Sequence, residues 1–205
     1  MEYITSSDFH FKNTAVALGK FEGIHRGHQL LMDEVKKQEL HGLRSVVFTF
    51  DRPTRLTLTG DTEYKQIYTK KERREILEKR GIDILIEHPF TKEFAALTPD
   101  RFIMEVLVEK VGAKVIVVGT DFHFGKNRSG SITDLEKLEE ECGYHLIVVE
   151  KLQLNGKDIS STRIRASLEK GAMEEAKALL GRNYSVSGEI LHGNALGRTI
   201  QVPTI

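Results

Sequence analysis

The sequence predicts an α/β fold with a five-stranded parallel sheet flanked by helices, and two observations support this prediction. Short apolar runs, rich in valine and isoleucine, recur along the chain and are nearly continuous rather than alternating. Such runs are typical of strands buried on both faces of a parallel sheet. Amphipathic stretches separate them, so strands and helices alternate and right-handed crossovers are expected. The predicted strands are residues 14–19, 45–50, 82–87, 114–119 and 144–150.

Capping residues predict where the helices begin and end. Thr69 with Glu72, and Thr133 with Glu136, have the spacing of a capping box, in which a hydroxyl and a carboxylate satisfy each other's backbone N–H groups. A threonine followed by Pro99 predicts a further helix start. The predicted helices are residues 28–40, 69–80, a segment from 98 onward, 133–142, 161–170 and 173–180.

The last residues of the chain differ in pattern from the rest. Residues 184–192 alternate between polar and apolar like an antiparallel strand, and residues 193–197 resemble a turn. So short a segment cannot build a core of its own. We therefore predict a main domain over residues 1–182 and an incomplete second domain over residues 183–205. A hairpin packed on the first domain is the alternative.

Composition excludes several classes of protein. The chain has 205 residues, with 30 lysine and arginine residues balanced by 30 aspartate and glutamate residues. A net charge of zero argues against a dedicated binder of nucleic acid or of membrane surfaces. One cysteine rules out an intramolecular disulfide and suits a reducing compartment. No signal peptide or transmembrane run is visible. These features predict a cytoplasmic protein.

Two histidines stand where the first predicted strand leads into the first predicted helix. His25 and His28 form a His-x-Gly-His pattern around Gly27. A helix N-terminus offers unpaired N–H groups and the positive end of a dipole, and both favour phosphate. We therefore predict that the segment binds phosphate and that the histidines stabilise charge during phosphoryl transfer. The alternatives are a plain helix cap and a zinc site that lacks an obvious third ligand.

A second segment places cations at the start of a predicted helix. Ser160 or Ser161 is the natural N-cap, so Thr162, Arg163 and Arg165 fall in the first turn or just beyond it. Cations there oppose the helix dipole, unless an anionic ligand is shared between the arginines and the backbone amides. Residues two apart do not share a helix face, so we expect one of the two arginines to make the main contact with the anion. Solvated surface arginines are the alternative.

Two more loops follow predicted strands and reach the same edge of the sheet. Residues 119–130 combine the acidic Asp121, aromatic residues that include Phe124, and the basic Arg128 among several glycines. Phe50 opens the loop after the second strand. In open α/β sheets, ligands bind beyond the carboxyl ends of the strands, so we expect both loops at the binding site. The alternatives are phenylalanines that fill the core and a plain turn after Phe50.

In this order, the segments resemble the bacterial FAD synthetase family, whose members usually combine riboflavin kinase with FMN adenylyltransferase. The resemblance implies a Rossmann-like nucleotidyltransferase fold for residues 1–182 and the first strands of a riboflavin kinase β-barrel for residues 183–205. It rests on four motifs: Gly-x-Phe-x-Gly-x-His-x-Gly-His at 19–28, Gly-x-Asp-Phe-x-Phe-Gly at 119–125, Ile-Ser-Ser-Thr-x-x-Arg at 159–165 and Leu-Leu-Gly-Arg-x-Tyr at 179–184.

The resemblance implies a reaction in which ATP and FMN give FAD and pyrophosphate, with Mg²⁺ held largely by phosphates. The FMN phosphate is itself the nucleophile, so no general base is required. The implied catalytic residues are His25, His28 and Arg165. The implied ATP and phosphate ligands are Gly19, Phe21, Gly27, Ser160, Ser161, Thr162 and Arg163. The implied flavin contacts are Phe50, Asp121, Phe124 and Arg128.

Some positions depart from the family's usual residues. Lys20 and Glu22 replace asparagine and aspartate, Thr54 lies where a histidine is usual, and His123 replaces arginine. These changes fall mainly on the flavin side, so nucleotide handling is the stronger implication. Two alternatives remain: a nucleotidyltransferase for another phosphorylated acceptor, and a non-catalytic flavin or nucleotide sensor. Riboflavin kinase activity is not expected, because the kinase-like segment ends at Ile205 before its motif is complete.

Overall fold

A parallel sheet forms the centre of the protein. The computed structural model describes residues 1–53 and 65–189. The strands of the sheet are β1 Glu2–Ile4, β2 Thr14–Leu18, β3 Arg44–Phe50, β4 Ile84–His88, β5 Ala113–Gly119 and β6 His145–Val149. They pair in the order β1-β4-β3-β2-β5-β6. The predicted α/β fold and its five strands are confirmed. The sequence does not reveal the sixth strand, β1, because three partly exposed residues are too few for a periodic pattern.

Helices connect successive strands. They are α1 Arg26–Lys37, α2 Lys70–Lys79, α3 Lys92–Ala95, α4 Pro99–Arg101, α5 Ile132–Cys142, α6 Ser161–Glu169 and α7 Met173–Leu180. A π-helix over Phe102–Lys110 continues α4, and short 3-10 turns occupy Gln38–His41 and Lys126–Arg128. No helix in the described part of the chain has both the length and the apolar surface needed to cross a membrane.

One of the two predicted capping boxes is wrong. Thr69 and Glu72 do cap α2 reciprocally. At α5, however, Ser131 and Asp134 form the box, and the N-cap lies two residues before the predicted Thr133. The carboxylate of Asp134 accepts from the backbone N–H of Ser131 at 2.8 Å. A short aspartate thus serves at the third helical position, where the sequence rule looks for glutamate or glutamine.

Both faces of the sheet are buried, which explains the continuous apolar runs. Along β2, Ala15 and Ala17 pack with α1 and α2, whereas Val16 and Leu18 pack with the π-helix and α5. Successive side chains of a strand point to opposite faces, so burial of both faces requires apolar residues at every position. Buried polar side chains such as Thr14, Ser45, Thr49 and Glu87 accordingly lie at the strand ends or one residue from them.

The segment after α7 remains attached to the domain without forming a strand. Residues 183–189 have no regular secondary structure, so the strand predicted over 184–192 is not formed in its described part. The hydroxyl of Tyr184 donates to the carbonyl of Ile67 at 3.1 Å, and the backbone N–H of Ser187 donates to Glu72 at 3.0 Å. The predicted turn at 193–197 and Thr54 lie outside the described residues. The domain boundary at residue 182 stays a prediction.

Gly112, which precedes β5, and Gly143, which follows α5, provide a matched test of packing. Gly112 and Gly143 have nearly the same left-handed backbone, with φ of +65° and +66°. A Cβ at Gly112 would overlap the carbonyl oxygen of Phe11, whereas one at Gly143 would meet nothing within 4 Å. Gly143→Ala should cost about 1–2 kcal/mol from backbone strain alone. Gly112→Ala should cost about 1–3 kcal/mol more, because overpacking adds to that strain.

The free energy of unfolding in urea measures both variants. Equal losses for Gly112→Ala and Gly143→Ala would show that the contact with Phe11 relaxes without cost, contrary to this prediction.

Candidate active site

A cleft opens at the carboxyl edge of the sheet. Its cavity volume is about 890 Å³, within the range of small-molecule sites. The loops after β2, β3, β4, β5 and β6 and the first turn of α6 surround it. Of the residues that the sequence singles out, those in contact with the cleft are Gly19, Gly27, His25, His28, Phe50, Asp121, Phe124, Arg128, Ser160, Ser161, Thr162 and Arg165. Phe21 and Arg163 lie outside its lining.

The two histidines form a stacked pair at the start of α1. His25 is the N-cap, and its Nδ1 accepts a hydrogen bond from the backbone N–H of His28 at 3.2 Å. The ring centroids of His25 and His28 lie 3.6 Å apart at an interplanar angle of 15°. Because a histidine caps the helix, α1 begins at Arg26 rather than at the predicted residue 28. The pair is therefore held by the same bond that starts the helix.

Burial keeps both rings neutral. It lowers the pKa of His25 to about 4. Burial, followed by the neighbouring His25, holds the pKa of His28 well below its usual range. Since Nδ1 of His25 accepts a bond, the single proton of its neutral ring lies on Nε2. His25 can thus donate one hydrogen bond without carrying a charge. The Nδ1 of His28 is buried and has no hydrogen-bond partner in residues 1–53 or 65–189.

The loop between β2 and α1 is shaped from beneath by Phe21. This side chain is fully buried and meets the His28 ring edge-on, with centroids 5.1 Å apart. A Cβ at Gly19 would lie 3.0 Å from the Phe21 ring, and a Cβ at Gly27 would lie 3.3 Å from Nδ1 of His25. Glycine at both positions therefore leaves room for these rings. Phe21 supports the histidine pair and does not line the cleft.

The start of α6 directs one of its two arginines to the cleft. Ser160 is the N-cap and accepts from the backbone N–H of Arg163 at 3.3 Å. Arg165 lines the cleft, where its Nη2 lies 2.7 Å from the Oε2 of Glu22. The guanidinium of Arg163 instead bonds to Glu175 at 2.8 Å and to the carbonyl of Leu154 at 3.0 Å. The two-residue spacing separates them, as the helix period requires.

Phenylalanine rings line the side of the cleft beyond β3 and β4. The rings of this aromatic wall are Phe48, Phe50, Phe90, Phe94, Phe102 and Phe124. The centroids of Phe50 and Phe90 are 4.7 Å apart, and those of Phe102 and Phe124 are 5.4 Å apart. The sequence analysis identifies Phe50 and Phe124 but misses Phe90 and Phe94. Their position just after the predicted strand 82–87 was the available signal, because that strand ends at the same edge.

A lysine missed by the sequence analysis bridges two carboxylates at the mouth of the cleft. The Nζ of Lys151 lies 3.2 Å from Asp121 and 3.3 Å from Asp158. Hydrogen bonding to Asp121 raises the pKa of Lys151. Asp158 ends an unpredicted two-stranded ribbon, β7 Gln153–Leu154 with β8 Lys157–Asp158, that turns at Asn155-Gly156. That Asn-Gly pair is the usual signal of a tight hairpin and would have brought residues 151–158 together.

The substituted positions also lie at the cleft. Lys20, Glu22 and His123 are among its lining residues. Within the described part of the chain, no group of three or more histidine, cysteine, aspartate or glutamate side chains is arranged to hold a metal ion. Most of the charged side chains in the cleft instead belong to ion pairs, such as Arg165 with Glu22 and Lys151 with Asp121 and Asp158.

The pKa of His25 gives a testable dependence of stability on pH. Its value is about 4 in the folded protein and about 6.5 in an unfolded chain, so the unfolded state binds more protons between these values. The free energy of unfolding should therefore fall as the pH is lowered through this window. His25→Asn keeps a side chain that can cap α1 but removes the titration. Its urea midpoint should fall less between pH 7 and 4.5 than that of the wild type. An identical fall in both proteins would contradict burial as the cause.

Comparison with known proteins agrees with this geometry. A family model described as FAD synthetase matches residues 8–163, and one described as riboflavin kinase matches residues 180–205. A bifunctional riboflavin kinase/FMN adenylyltransferase of Listeria monocytogenes is 34% identical over 98% of this chain and 64% of its own length. A protein of the same description from Escherichia coli K12 is 34% identical over 92% of this chain and 61% of its own length. The chain thus spans less than two thirds of these curated relatives.

Solved structures show the same fold. A Streptococcus pneumoniae protein described as a macrolide-efflux protein superposes with a TM-score of 0.87 at 32% identity, covering 98% of this chain and 66% of that one. A pantoate-β-alanine ligase from Thermus thermophilus has a TM-score of 0.51 at 15% identity, covering 86% of this chain and 79% of that one, and shares the fold alone. Since the first family model spans more than half of the chain, the protein belongs to the FAD synthetase family.

Proposed function

We propose that this chain is an FMN adenylyltransferase, which transfers AMP from ATP to FMN and releases pyrophosphate. One observation carries the proposal: the neutral histidine pair at the start of α1 and the arginine-bearing start of α6 line the same cleft. Two helix N-termini at one cleft suit a chain of phosphates. The family match and the relatives' FMN adenylyltransferase descriptions support FMN as the acceptor.

The reaction needs positioning and electrostatic stabilisation rather than a general base. A phosphate oxygen of FMN attacks the α-phosphorus of ATP and forms a new phosphorus–oxygen bond. The bond from the α-phosphorus to the oxygen bridging to the β-phosphate breaks, and pyrophosphate leaves with the electron pair. His25 donates from Nε2 to a phosphate oxygen, and His28 lies beside it to share the negative charge that builds up in the transition state. Because both rings are neutral, they serve as fixed dipoles rather than proton carriers.

Pyrophosphate is assigned to the start of α6. The free backbone N–H groups there, the hydroxyls of Ser160, Ser161 and Thr162, and the guanidinium of Arg165 together match an anion. Arg165 pairs with Glu22. Phosphate oxygens would compete with this carboxylate for the arginine, so Glu22 holds the guanidinium in place while keeping it available. Arg163 is assigned to holding α6 against α7 through Glu175.

The flavin is assigned to the aromatic wall. A planar tricyclic ring stacks well on phenylalanine faces, and Phe50 and Phe124 come from different loops on either side of the wall. Asp121 and Arg128 provide polar groups at the mouth, where a ribityl chain or phosphate would lie. His123 and Lys20 also line the cleft, so this assignment requires that FMN is bound in their presence.

Magnesium enters this proposal with the nucleotide. The described residues offer no three-ligand cluster, and the carboxylates of Asp121 and Asp158 are shared with Lys151. Such a donor set fits an ion whose ligands are mainly phosphate oxygens and waters. Bound there, Mg²⁺ would supply positive charge to the triphosphate. With a net charge of zero and one cysteine, we infer a cytoplasmic enzyme without a nucleic-acid partner.

The direct test mixes the purified chain with FMN, ATP and Mg²⁺ and follows FAD and pyrophosphate together. Both products should appear in equal amounts. His28→Ala should lower kcat by about 10²–10³-fold, as for loss of one transition-state hydrogen-bond donor. Because the ring also packs on His25 and Phe21, a urea titration checks that the variant is folded under the assay conditions. Pyrophosphate release with another phosphorylated acceptor but not with FMN would reassign the substrate. Saturable ATP binding without turnover would identify a sensor instead.

The two arginines of α6 give a matched pair of variants. Arg165→Ala should lower kcat/KM for ATP by about 10–100-fold, because a charge-assisted hydrogen bond contributes about 1.5–3 kcal/mol. Arg163→Ala should reduce thermal stability but leave kcat/KM for ATP near the wild-type value, since its guanidinium bonds to Glu175 and Leu154. If Arg163→Ala is the variant with the larger loss in kcat/KM, the assignment of the pyrophosphate site is wrong.

A further inference from the structure

Arg182 contacts the loop that carries the histidine pair. It follows α7 directly, and its Nη1 donates to the carbonyl of Ile24 at 2.8 Å, while its Nη2 donates to the carbonyl of Gly23 at 2.9 Å. The guanidinium also lies over the ring of Tyr68, 5.1 Å from the centroid. The planar guanidinium group therefore donates to two successive carbonyl oxygens through two nitrogens, a geometry that the ammonium group of lysine does not reproduce.

The carbonyls that accept from Arg182 belong to Gly23 and Ile24, the two residues that precede His25. The loop here is strained, because Phe21 and Ile24 have φ of +47° and +42°, values that bulky side chains rarely adopt. Strain of this kind persists only where neighbouring contacts hold it. Besides Arg182, the Nε2 of Gln29 donates to the carbonyl of Ile24 at 2.9 Å. The conformation that precedes the helix cap thus depends on side-chain donors.

We propose that Arg182 is a positioning residue for the histidine pair: by fixing the carbonyls of Gly23 and Ile24, it holds His25 and His28 in the orientation that faces the cleft. The inference rests on the proposed adenylyltransferase function for its kinetic readout only. Arg182 does not line the cleft and has no assigned contact with substrate. Its effect is carried by the backbone.

The position of Arg182 in the chain makes this contact informative. The FAD synthetase match ends at residue 163, whereas Arg182 lies in the segment, residues 180–205, that matches riboflavin kinase. The same segment is anchored by the bond from Tyr184 to Ile67. The nucleotide loop of one family match is therefore held by a residue of the other.

The pKa of His25 provides a second measurement, which separates the effect of the charge of Arg182 from the effect of its geometry. After burial, the groups that act on the pKa of His25 are its own backbone, Arg182, which lowers it, and Asp121, which raises it; His28 stacks on its ring. Removing the guanidinium should therefore raise the pKa of His25. A lysine at 182 keeps the positive charge but loses the fork. The two variants separate electrostatics from geometry.

The experiment compares Arg182→Gln, Arg182→Lys and Tyr184→Phe in the full chain. We measure kcat, KM for ATP and FMN, the urea midpoint, and the titration of His25 by NMR. Arg182→Gln should lower kcat by about 10–100-fold, as expected for misplaced catalytic groups, and raise the pKa of His25. Arg182→Lys should keep the pKa of His25 low and still lose most of kcat. Tyr184→Phe, which loosens the same segment without touching the loop, should keep kcat.

Several outcomes would overturn the inference. Full kcat in folded Arg182→Gln, or an equal loss in Tyr184→Phe, would show that the fork does not position the histidines. Unchanged ring resonances and pKa of His25 in both Arg182 variants would show the same. The titration needs no acceptor, so it decides the question even if the wild type forms no FAD. Absence of FAD from the wild type alone would refute the proposed function and leave the positioning result standing.

Discussion

Burial of the sheet on both faces is the constraint on which the rest of the molecule depends. Alternate side chains of β2 pack against helices on opposite sides, so almost every strand position must be apolar. Polar chemistry is then possible only where strands end. All the loops that surround the cleft leave the sheet at its carboxyl edge, and the features to which we assign phosphate binding are helix N-termini beyond that edge. The site is a consequence of how the sheet excludes polar groups.

The features predicted from sequence are those that local chemistry determines. Continuous apolar runs indicated the inner strands. The spacing of Arg163 and Arg165 indicated that only one of them would face the cleft. Local chemistry could not show which arginine faces the cleft, because that choice depends on Glu175 and Leu154, distant partners of Arg163. The edge strand β1 is stabilised by pairing with β4 rather than by its own three residues.

The cleft also includes residues that belong to none of the four sequence motifs. The aromatic wall includes Phe90, in the loop after β4, and Phe94, in α3, although neither belongs to a motif, and Lys151 joins two carboxylates from separate segments. Such groupings depend on which loops meet at the sheet edge, and strand order decides that. Phe21 shows the reverse case. It stands within a motif, yet it is fully buried and supports its neighbours from below.

The bond between Arg182 and Ile24 also has a consequence for folding on the ribosome. The two residues are 158 positions apart, so the partner of the histidine loop is synthesised long after the loop itself. At about 5–20 residues per second, roughly 8–30 s pass between the emergence of the loop and of its arginine. During that interval the sheet can assemble, but the strained turn lacks one of its donors. The nascent chain can therefore form its core before the histidine loop gains the hydrogen bonds from Arg182.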